Sequence, residues 1–341
     1  MYRIAIAGAS TLLGKELKDA IGESPLAGAT FTLLDDEPAQ GQLDQVGDEV
    51  TFIQPILSDT WDKVDFAFFC GSREMTLKYW REAVRAGATV LDLSGALEYE
   101  PGVLVRAPWL ETAGSPADLL TPATVPAHPA ALALALLLGR LQQAAPVRTA
   151  AVTMLTPASE FGQSAMDELH QQTVNLLSFQ ALPRAVYDAQ VAYNLLSGMG
   201  ENARASLPEL EARIRRDYAA LGHGRLPVLA LQALAAPVFH GHTFSIAIEL
   251  DQPVDLATVE EALGGEHVDV VLEDTDSPSN LAATGQSDIL VRMRPVLEGR
   301  NPAQSKRFWL WAASDNLRLA AQNGVECALD LRRLRPQGAV Q

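Results

Sequence analysis

With 341 residues, the chain is longer than a single hydrophobic core usually supports, so we expect two domains. Its formal net charge of −16 argues against a nucleic-acid or anionic-membrane partner, and no apolar run approaches the roughly 20 residues that span a bilayer. Two cysteines are too few for a disulfide framework, and Met1 leads directly into a strand pattern, so we expect a soluble, cytoplasmic protein.

The first part of the chain alternates apolar strands with helical patterns. We predict strands at 2–8, 31–34, 64–71 and 88–93, a helix at 12–21 and another helix ending at Arg85. Strands and helices that alternate at these intervals pair in parallel through helical crossovers. The pattern therefore predicts an α/β fold that begins with a doubly wound parallel sheet of the Rossmann type.

The composition changes after Pro126. An Ala/Leu-rich helix predicted at 129–141 is apolar nearly all round, which indicates burial at a domain junction. Strands predicted at 147–155, 238–250 and 308–313 belong to a second sheet. The stretches 35–48 and 274–287 have the composition of loops.

Two more polar helices are predicted at 165–177 and 207–221, between strands of this second sheet. In the first of them Asp167, Glu168 and Gln171 are expected to form a solvated face. The last helix begins at residues 314–316, with Ser314 or Asp315 as its cap.

The segment GASTLLG, residues 8–14, lies between the first strand and the first helix. Glycines in such a turn let the backbone approach a pyrophosphate, and the helix N-terminus offers N–H groups to it. Thr11 stands at the middle glycine point, where its side chain either blocks the closest approach or adds a hydroxyl hydrogen bond. The alternative is a Rossmann-type turn that holds no dinucleotide. The candidate cofactor-binding residues here are Gly8, Ser10, Thr11, Leu12, Leu13 and Gly14.

Three acidic residues, Asp35, Asp36 and Glu37, follow the second predicted strand. A carboxylate at that place hydrogen-bonds a ribose 2′-hydroxyl and repels a 2′-phosphate. If a dinucleotide binds, Asp35 therefore favours NAD over NADP. A solvated acidic loop is the other interpretation.

Five segments in order resemble aspartate-semialdehyde dehydrogenase: GASTLLGKEL at 8–17, AGATVLDLSGAL at 86–97, VPAHPAALALALL at 125–137, APVFHGHTFSIAIEL at 236–250 and SDNLRLAAQNGV at 314–325. The last is the most specific, because the family closes with such a helix, which returns to the cofactor domain. Within the family the chain is most similar to the Usg-like branch. The resemblance implies an NAD(P)-binding Rossmann-type domain of residues 1–127 plus 314–341, a central α/β catalytic and dimerisation domain of residues 128–313, and a homodimer.

The family reaction is a reversible, phosphate-dependent oxidation of an aldehyde by NADP through a cysteine thioester. A histidine acts as acid and base, and two arginines hold the anionic groups of the substrate. The resemblance places the histidine at His242 and implies that Asn316 lies near the nicotinamide. A helix cap at the domain junction is the alternative role for Asn316, and the two roles are compatible.

The other family positions depart from the pattern. His128 stands at the nucleophile position, where an imidazole cannot form the thioester and is expected to be neutral beside a helix N-terminus. The family glutamine falls at Thr156, and the two arginines fall at Glu98 and Ala235. Losing these groups together removes nucleophilic catalysis and substrate positioning, which indicates a site that is degenerate for the family reaction.

The sequence leaves three functions open. The first is a non-catalytic homologue that acts as a binding or scaffold protein with residual dinucleotide affinity. The second is an NAD(P)-dependent oxidoreductase of altered substrate and chemistry that uses His242 on an aldehyde or oxo group. The third is the family reaction run by a displaced thiol, Cys70. We expect no metal site, although His240 and His242 alternate along a predicted strand and His128 is a further candidate ligand.

Overall fold

A computed structural model describes residues 2–36, 41–46, 49–57, 59–110, 121–272, 275–296 and 304–334. The chain forms two compact units. Unit 1 comprises Met1–His128 and Ala320–Gln341, and unit 2 comprises Pro129–Leu319. Among the described residues, no helix is long and apolar enough to cross a membrane.

Unit 1 is built on a parallel sheet. Its elements are β1 (Arg3–Ala7), α1 (Leu12–Gly22), β2 (Thr30–Leu34), β3 (Leu43–Val46), β4 (Glu49–Phe52), β5 (Phe66–Phe69), α2 (Arg73–Arg85), β6 (Thr89–Asp92), β7 (Leu104–Arg106) and β8 (Ala123–Pro126). Six strands pair in parallel in the order β2-β1-β5-β6-β8-β7, and β3 and β4 form a separate antiparallel pair. The predicted doubly wound parallel sheet is confirmed.

Unit 2 contains a mixed sheet. Its elements are α3 (Pro129–Ala144), β9 (Val147–Thr156), α4 (Gln163–Leu177), α5 (Leu207–Gly222), β10 (Leu229–Ala235), β11 (His242–Val254), α6 (Leu256–Leu263), β12 (Val268–Val270), α7 (Asn280–Ala283), β13 (Ile289–Pro295), β14 (Ser305–Ser314) and the start of α8 (Asn316–Leu334). The strand order is β10-β9-β11-β14-β13-β12. The pairs β9–β11, β11–β14 and β14–β13 are antiparallel, whereas the outer pairs β10–β9 and β13–β12 are parallel.

The last helix returns to the first sheet, as predicted. Val325, Ala328 and Leu331 of α8 join the apolar cluster formed by Ile4 and Phe68 on one face of that sheet. A buried ion pair adds to this packing, since the Arg106 guanidinium lies 2.7 Å from the Asp330 carboxylate.

Several sequence expectations need correction. The strand predicted at 238–250 begins only at His242, because Gly241 adopts a φ of +85° and the residues before it form a turn. The two stretches predicted as loops hold regular structure: β3 lies within 35–48, and α7 lies within 274–287. Residues 37–40, 47–48 and 274 of those stretches lie outside the described residues.

Glu168 was expected on a solvated face, and that expectation is wrong. Asp167 and Gln171 are exposed, but Glu168 is buried, and its carboxylate accepts hydrogen bonds from the backbone N–H groups of Val186 (2.7 Å) and Tyr187 (3.2 Å). The segment at 178–206 therefore lies on the Glu168 side of α4. Helical periodicity alone gave no sign of that segment, so the burial of Glu168 was missed.

Candidate functional site

The loop after β1 is packed against the loop after β5. Gly8 has a φ of +87°, and a Cβ built on it would lie 2.3 Å from the backbone nitrogen of Gly71. The strands β1 and β5 are neighbours at the point where the strand order reverses. In doubly wound sheets, ligands bind at such a point, outside the carboxyl ends of the strands. The segment predicted to bind phosphate therefore lies where this fold places a nucleotide.

Thr11 is the N-cap of α1. Its Oγ1 accepts a hydrogen bond from the N–H of Gly14 (3.0 Å) and lies within donor distance of the carbonyl oxygens of Gly8 (2.8 Å) and Cys70 (3.0 Å). The hydroxyl is thus used inside the loop. The first-turn N–H groups of Leu12 and Leu13 have no intrahelical acceptor, as in any α-helix, and these are the groups that suit an anion.

Asp35 connects the end of β2 to the same loop. Its carboxylate accepts hydrogen bonds from the backbone N–H groups of Ser10 (2.8 Å) and Asp36 (2.9 Å), and the residue is buried. Asp36 is exposed beside it, whereas Glu37 lies outside the described residues. The acidic end of β2 therefore adjoins the glycine loop, with Asp35 also serving as a loop anchor.

Both cysteines are buried. Cys70 is 5% exposed and follows β5, and Cys327 is 0% exposed within α8. Burial raises the pKa of the Cys70 thiol, and the charges of Asp92 and Asp35 raise it further. A thiol in that environment is neither accessible nor readily ionised, so the structure disfavours Cys70 as a nucleophile.

His128, at the position of the family nucleophile, is the last residue of unit 1. It is 2% exposed and directly precedes Pro129, the first residue of α3. The preceding carbonyl oxygen, that of Ala127, accepts a hydrogen bond from the Asn323 side chain (3.2 Å). A buried imidazole therefore takes the place at which the resemblance expects a thiol.

Glu98 follows a loop that Asp92 organises. The buried Asp92 carboxylate accepts hydrogen bonds from the N–H groups of Ser94 (2.9 Å) and Leu97 (2.8 Å), and from the Ser94 hydroxyl (2.6 Å). Glu98 comes next and is half-buried. The turn is therefore well ordered by hydrogen bonds, but it presents a carboxylate where the resemblance implies an arginine.

Four strand ends meet at one edge of the second sheet. Ala235 at the end of β10 pairs with Thr156 at the end of β9, and His242 at the start of β11 pairs with Ser314 at the end of β14. All four residues are at most 1% exposed. Three of the predicted site positions, Ala235, Thr156 and His242, thus lie on adjacent strands.

The carboxylate of Glu160 contacts this strand edge. Glu160 lies in a 3₁₀ turn at Ala158–Phe161, and its Oε2 is 2.8 Å from Nε2 of His242, whose side chain is 0% exposed. The His242 ring also contacts Phe244 edge-on, with ring centroids 5.8 Å apart. Sequence reasoning missed Glu160, because it lies 82 positions from His242 and no local motif marks it.

Asn316 holds the backbone on both sides of this pair. Its Oδ1 accepts hydrogen bonds from the Ser159 hydroxyl and from the N–H of Gly241, both at 3.1 Å. These two residues directly precede Glu160 and His242. The helix cap itself is Asp315, whose Oδ1 accepts from the N–H groups two and three residues further on (3.0 Å each). Asn316 thus positions the histidine–carboxylate pair within unit 2.

His240 does not share a strand with His242. It lies in the turn before Gly241, where its carbonyl oxygen accepts a hydrogen bond from Asn280 (3.3 Å). The expected alternation of the two histidines along one strand is therefore wrong. Over the described ranges, no group of three His, Cys, Asp or Glu side chains is arranged to hold a metal ion.

Unit 1 has a parallel sheet with a glycine-rich loop at its switch point, and unit 2 has a mixed sheet with a buried histidine at a strand edge. This combination is the architecture of a class of nucleotide-binding dehydrogenases. Family models confirm this in two parts. "Semialdehyde dehydrogenase, NAD binding domain" matches residues 3–131, and "Semialdehyde dehydrogenase, dimerisation domain" matches residues 138–319. The chain belongs to the semialdehyde dehydrogenase family.

Relatives place it within that family. A USG-1 protein homolog of Pseudomonas aeruginosa is 30% identical over 329 residues, covering 94% of this chain and 95% of the relative. The aspartate-semialdehyde dehydrogenase of Rickettsia conorii is 24% identical, covering 97% of each chain. The predicted membership of the aspartate-semialdehyde dehydrogenase family, in its Usg-like branch, is confirmed.

Solved structures agree on the fold. A probable aspartate-semialdehyde dehydrogenase from Pseudomonas aeruginosa superposes with a TM-score of 0.82 at 28% identity, over 98% of this chain and 99% of that one. Aspartate semialdehyde dehydrogenase II from Vibrio cholerae, complexed with ASA, gives a TM-score of 0.86 over 98% of each chain. At 21% identity, the second likeness shows the fold alone.

Proposed function

We propose that this chain is a semialdehyde dehydrogenase homologue that does not run the family's thioester reaction and acts as a homodimeric binding or scaffold protein. One observation carries the proposal. The chain has two cysteines, and both thiols are buried, with the pKa of Cys70 raised by burial and by nearby carboxylates. A thioester needs an accessible thiolate, which neither cysteine supplies.

The substrate-anchoring positions support the same proposal. The half-buried carboxylate of Glu98 and the buried methyl group of Ala235 stand where the resemblance implies arginines. An arginine binds phosphate or carboxylate through two parallel hydrogen bonds, whereas a carboxylate repels both. The reaction would therefore lack its anion sites as well as its nucleophile.

Residual dinucleotide binding belongs to this proposal, with NAD favoured over NADP. The glycine loop and the first turn of α1 suit a pyrophosphate, since the first-turn N–H groups have no intrahelical acceptor and a side chain at Gly8 would collide with Gly71. Asp35 and Asp36 at the end of β2 favour a ribose hydroxyl over a 2′-phosphate. A bound nicotinamide would supply a hydride acceptor, whether or not this chain uses it.

The test is an assay of the purified full chain with aspartate semialdehyde, phosphate and either NAD or NADP, monitored by the absorbance of reduced nicotinamide. The aspartate-semialdehyde dehydrogenase of Bacillus subtilis, a relative at 25% identity, serves as the positive control. We expect no rate above the blank with either cofactor, together with calorimetric binding that is tighter for NAD than for NADP. A phosphate-dependent rate that disappears in Cys70→Ser would overturn the proposal and establish the displaced-thiol reaction.

The His242–Glu160 pair favours a second candidate, an NAD(P)-dependent oxidoreductase that interconverts a carbonyl and an alcohol. Oxidation of an alcohol requires the protein to take up one proton, and reduction requires it to give one back. An imidazole beside a carboxylate at 2.8 Å is suited to that transfer, and neither a thiol nor phosphate is needed.

This candidate is tested by incubating the protein with NADH and a panel of aldehydes and ketones in the absence of phosphate. Turnover that falls at least 100-fold in Glu160→Gln, but not in the exposed control Asp167→Asn, would establish it. An equal rate in Glu160→Gln and the unsubstituted protein would remove the pair from any role in proton transfer.

A further inference from the structure

The helix α2 begins at the same edge of the first sheet as the glycine loop. Gly71, in the loop after β5, lies so close to Gly8 that a Cβ on Gly8 would be 2.3 Å from its nitrogen. Arg73 follows two residues later as the first residue of α2, and the Ser72 side chain caps the helix by accepting from the N–H of Met75 (3.1 Å). Arg73 is thus two residues from the point where the two loops touch.

The Arg73 side chain crosses from α2 to the loop after β6. The residue is exposed, and its Nη1 donates a hydrogen bond to the carbonyl oxygen of Gly95 (2.8 Å). A guanidinium carries five N–H donors, and this contact uses one of them. Within the part of the chain that the structure describes, Arg73 forms no ion pair with a carboxylate. The guanidinium is therefore placed at the sheet edge and still able to bind an anion.

The loop that receives Arg73 is itself held in place. Thr76, one turn further along α2, has its hydroxyl 3.0 Å from the Ser94 hydroxyl. The N–H and the hydroxyl of Ser94 both donate to the buried Asp92 carboxylate, at 2.9 and 2.6 Å. Because the carbonyl of the next residue, Gly95, belongs to this ordered turn, the guanidinium is partly ordered before any ligand arrives. Such pre-ordering lowers the entropy that binding must lose.

The carboxylates near this edge have partners of their own. Asp92 accepts from its own loop, and Asp35 accepts from the N–H groups of the glycine loop and of the next residue. Hydrogen bonds from its own N–H and from the Ser72 hydroxyl lower the pKa of Glu74, with a smaller contribution from the Arg73 charge. Arg73 is therefore a positive charge at the ligand edge of a chain whose net charge is −16.

We propose that Arg73 binds the pyrophosphate of the dinucleotide, at the phosphate on the nicotinamide side. The inference rests on the dinucleotide binding of the proposed function and adds to it a residue outside the glycine loop. Arg73 lies within residues 3–131, the segment that matches the NAD-binding domain model. A guanidinium binds phosphate oxygens through parallel, charge-assisted hydrogen bonds, which neutral backbone N–H groups alone do not provide.

The order of the strands assigns Arg73 to the nicotinamide side. In the row β2-β1-β5, the strand that ends at Asp35 and the strand that precedes Arg73 flank β1 on opposite sides. A doubly wound sheet binds one mononucleotide on each half, and the acidic residue after the second strand marks the adenosine half. Arg73 belongs to the other half. It is therefore not a partner for the 2′-phosphate of NADP, which belongs to the adenosine ribose.

Calorimetric titration of the full chain with NAD and with NADP tests this role. Arg73→Gln removes the charge but keeps a donor for the Gly95 carbonyl, and we expect it to raise the Kd of both dinucleotides about 10-fold, by the same factor. The matched control is Arg85→Gln, which removes the same charge from the exposed last residue of α2, roughly 18 Å along the helix. It should leave both Kd values unchanged.

Two further readouts separate phosphate binding from support of the loop. In ligand-observed NMR titrations, Arg73→Gln should weaken nicotinamide mononucleotide about 10-fold and leave adenosine monophosphate unchanged. Added salt should weaken NAD binding more in the unsubstituted protein than in Arg73→Gln, because salt screens the charge that the variant lacks. Arg73→Lys, which keeps the charge without the planar fork, should recover part of the NAD affinity.

The possible failures are distinguishable. An unsubstituted protein that binds neither NAD nor NADP would overturn dinucleotide binding and the role of Arg73 with it. Unchanged NAD affinity in Arg73→Gln, shown to be folded by circular dichroism, would overturn the role of Arg73 and leave dinucleotide binding standing. Equal weakening of both mononucleotides, with unchanged salt dependence, would also overturn it, because Arg73 would then only support the loop.

Discussion

The contact between the two loops at the edge of the first sheet gives the sharpest prediction, the substitution Gly8→Ala. Gly8 has a φ of +87°, which costs an alanine about 1–2 kcal/mol. The new Cβ would also lie 2.3 Å from the nitrogen and 2.5 Å from the Cα of Gly71. Because both are backbone atoms, no side chain can move aside, and the two loops must separate.

The expected loss of stability follows from these two effects. Overpacking of this kind costs about 1–3 kcal/mol, so the total is about 2–5 kcal/mol. For a unit of this size, a loss near 3 kcal/mol corresponds to a fall in Tm of roughly 6–12 °C. Separation of the loops should also weaken NAD binding at temperatures where the variant is still folded, because it moves the turn that faces the pyrophosphate.

The assay is thermal and urea unfolding followed by circular dichroism, with calorimetric titration of NAD in parallel. Gly22→Ala is a matched control at the other end of α1, since a Cβ there meets nothing within 4 Å. Alanine at Gly22 should leave stability unchanged or raise it by up to about 1 kcal/mol. If Gly8→Ala lowered stability by less than about 0.5 kcal/mol, the two loops would not be in the contact described, and the packing argument would be refuted.

Three further predictions concern buried or half-buried groups. Neither Cys70 nor Cys327 should react with a disulfide-exchange reagent in the folded protein, and both should react in denaturant, because burial blocks access and raises the pKa of the Cys70 thiol. Glu168→Ala should cost about 2–4 kcal/mol in urea unfolding, since two buried N–H groups lose their acceptor, whereas the exposed Asp167→Ala should cost little. Burial lowers the pKa of His267 below its ordinary 6.5, against the opposite influence of neighbouring carboxylates. The unfolded chain then binds the proton more readily, so stability should fall as pH drops through 6.5, and His267→Asn should lessen that fall in unfolding measurements.

Each of these has a clear contrary result. Labelling of either Cys70 or Cys327 in the native state would mean that a thiol is accessible and could act as a nucleophile. Equal losses for Glu168→Ala and Asp167→Ala would mean that the buried carboxylate does not hold the segment after α4. A pH dependence of stability that is identical in His267→Asn would show that this histidine is solvated like an unfolded one.

The first sheet was predictable because its strands are continuous apolar runs. Residues 66–69, Phe-Ala-Phe-Phe, are buried on both faces, as a central parallel strand requires. The apolar pattern alone therefore predicted a parallel sheet that is covered on both faces. The start of β11 was not predictable in the same way. Apolar residues lie on both sides of Gly241, with Val238 and Phe239 before it and Phe244 after it, and the positive φ of Gly241 separates turn from strand.

The residues of the candidate site also differ in whether the sequence alone could predict them. His242 could be found, because it lies in a segment with a family likeness. Glu160 could not be found from the sequence, because its partner His242 is 82 positions away. Strand pairing and the hydrogen bonds of Asn316 bring the two residues together. The hydroxyl of Thr11 was expected either to block or to contact a phosphate, yet its partners are carbonyls of its own loop and of Cys70, a contact across 59 positions.

The oxidoreductase needs the His242–Glu160 pair for proton transfer, whereas the scaffold protein does not. A double-mutant cycle on the pair therefore distinguishes the two proposed functions. Glu160→Leu alone leaves the buried imidazole without its carboxylate and should cost about 1–3 kcal/mol. His242→Leu with Glu160→Leu removes both partners, so its stability should recover most of that loss, as measured by urea unfolding. In a scaffold, this double variant keeps dimerisation and NAD binding intact. In an oxidoreductase it loses turnover although it is folded, dimeric and able to bind NAD, and a double variant with unchanged turnover would leave the pair a purely structural hydrogen bond.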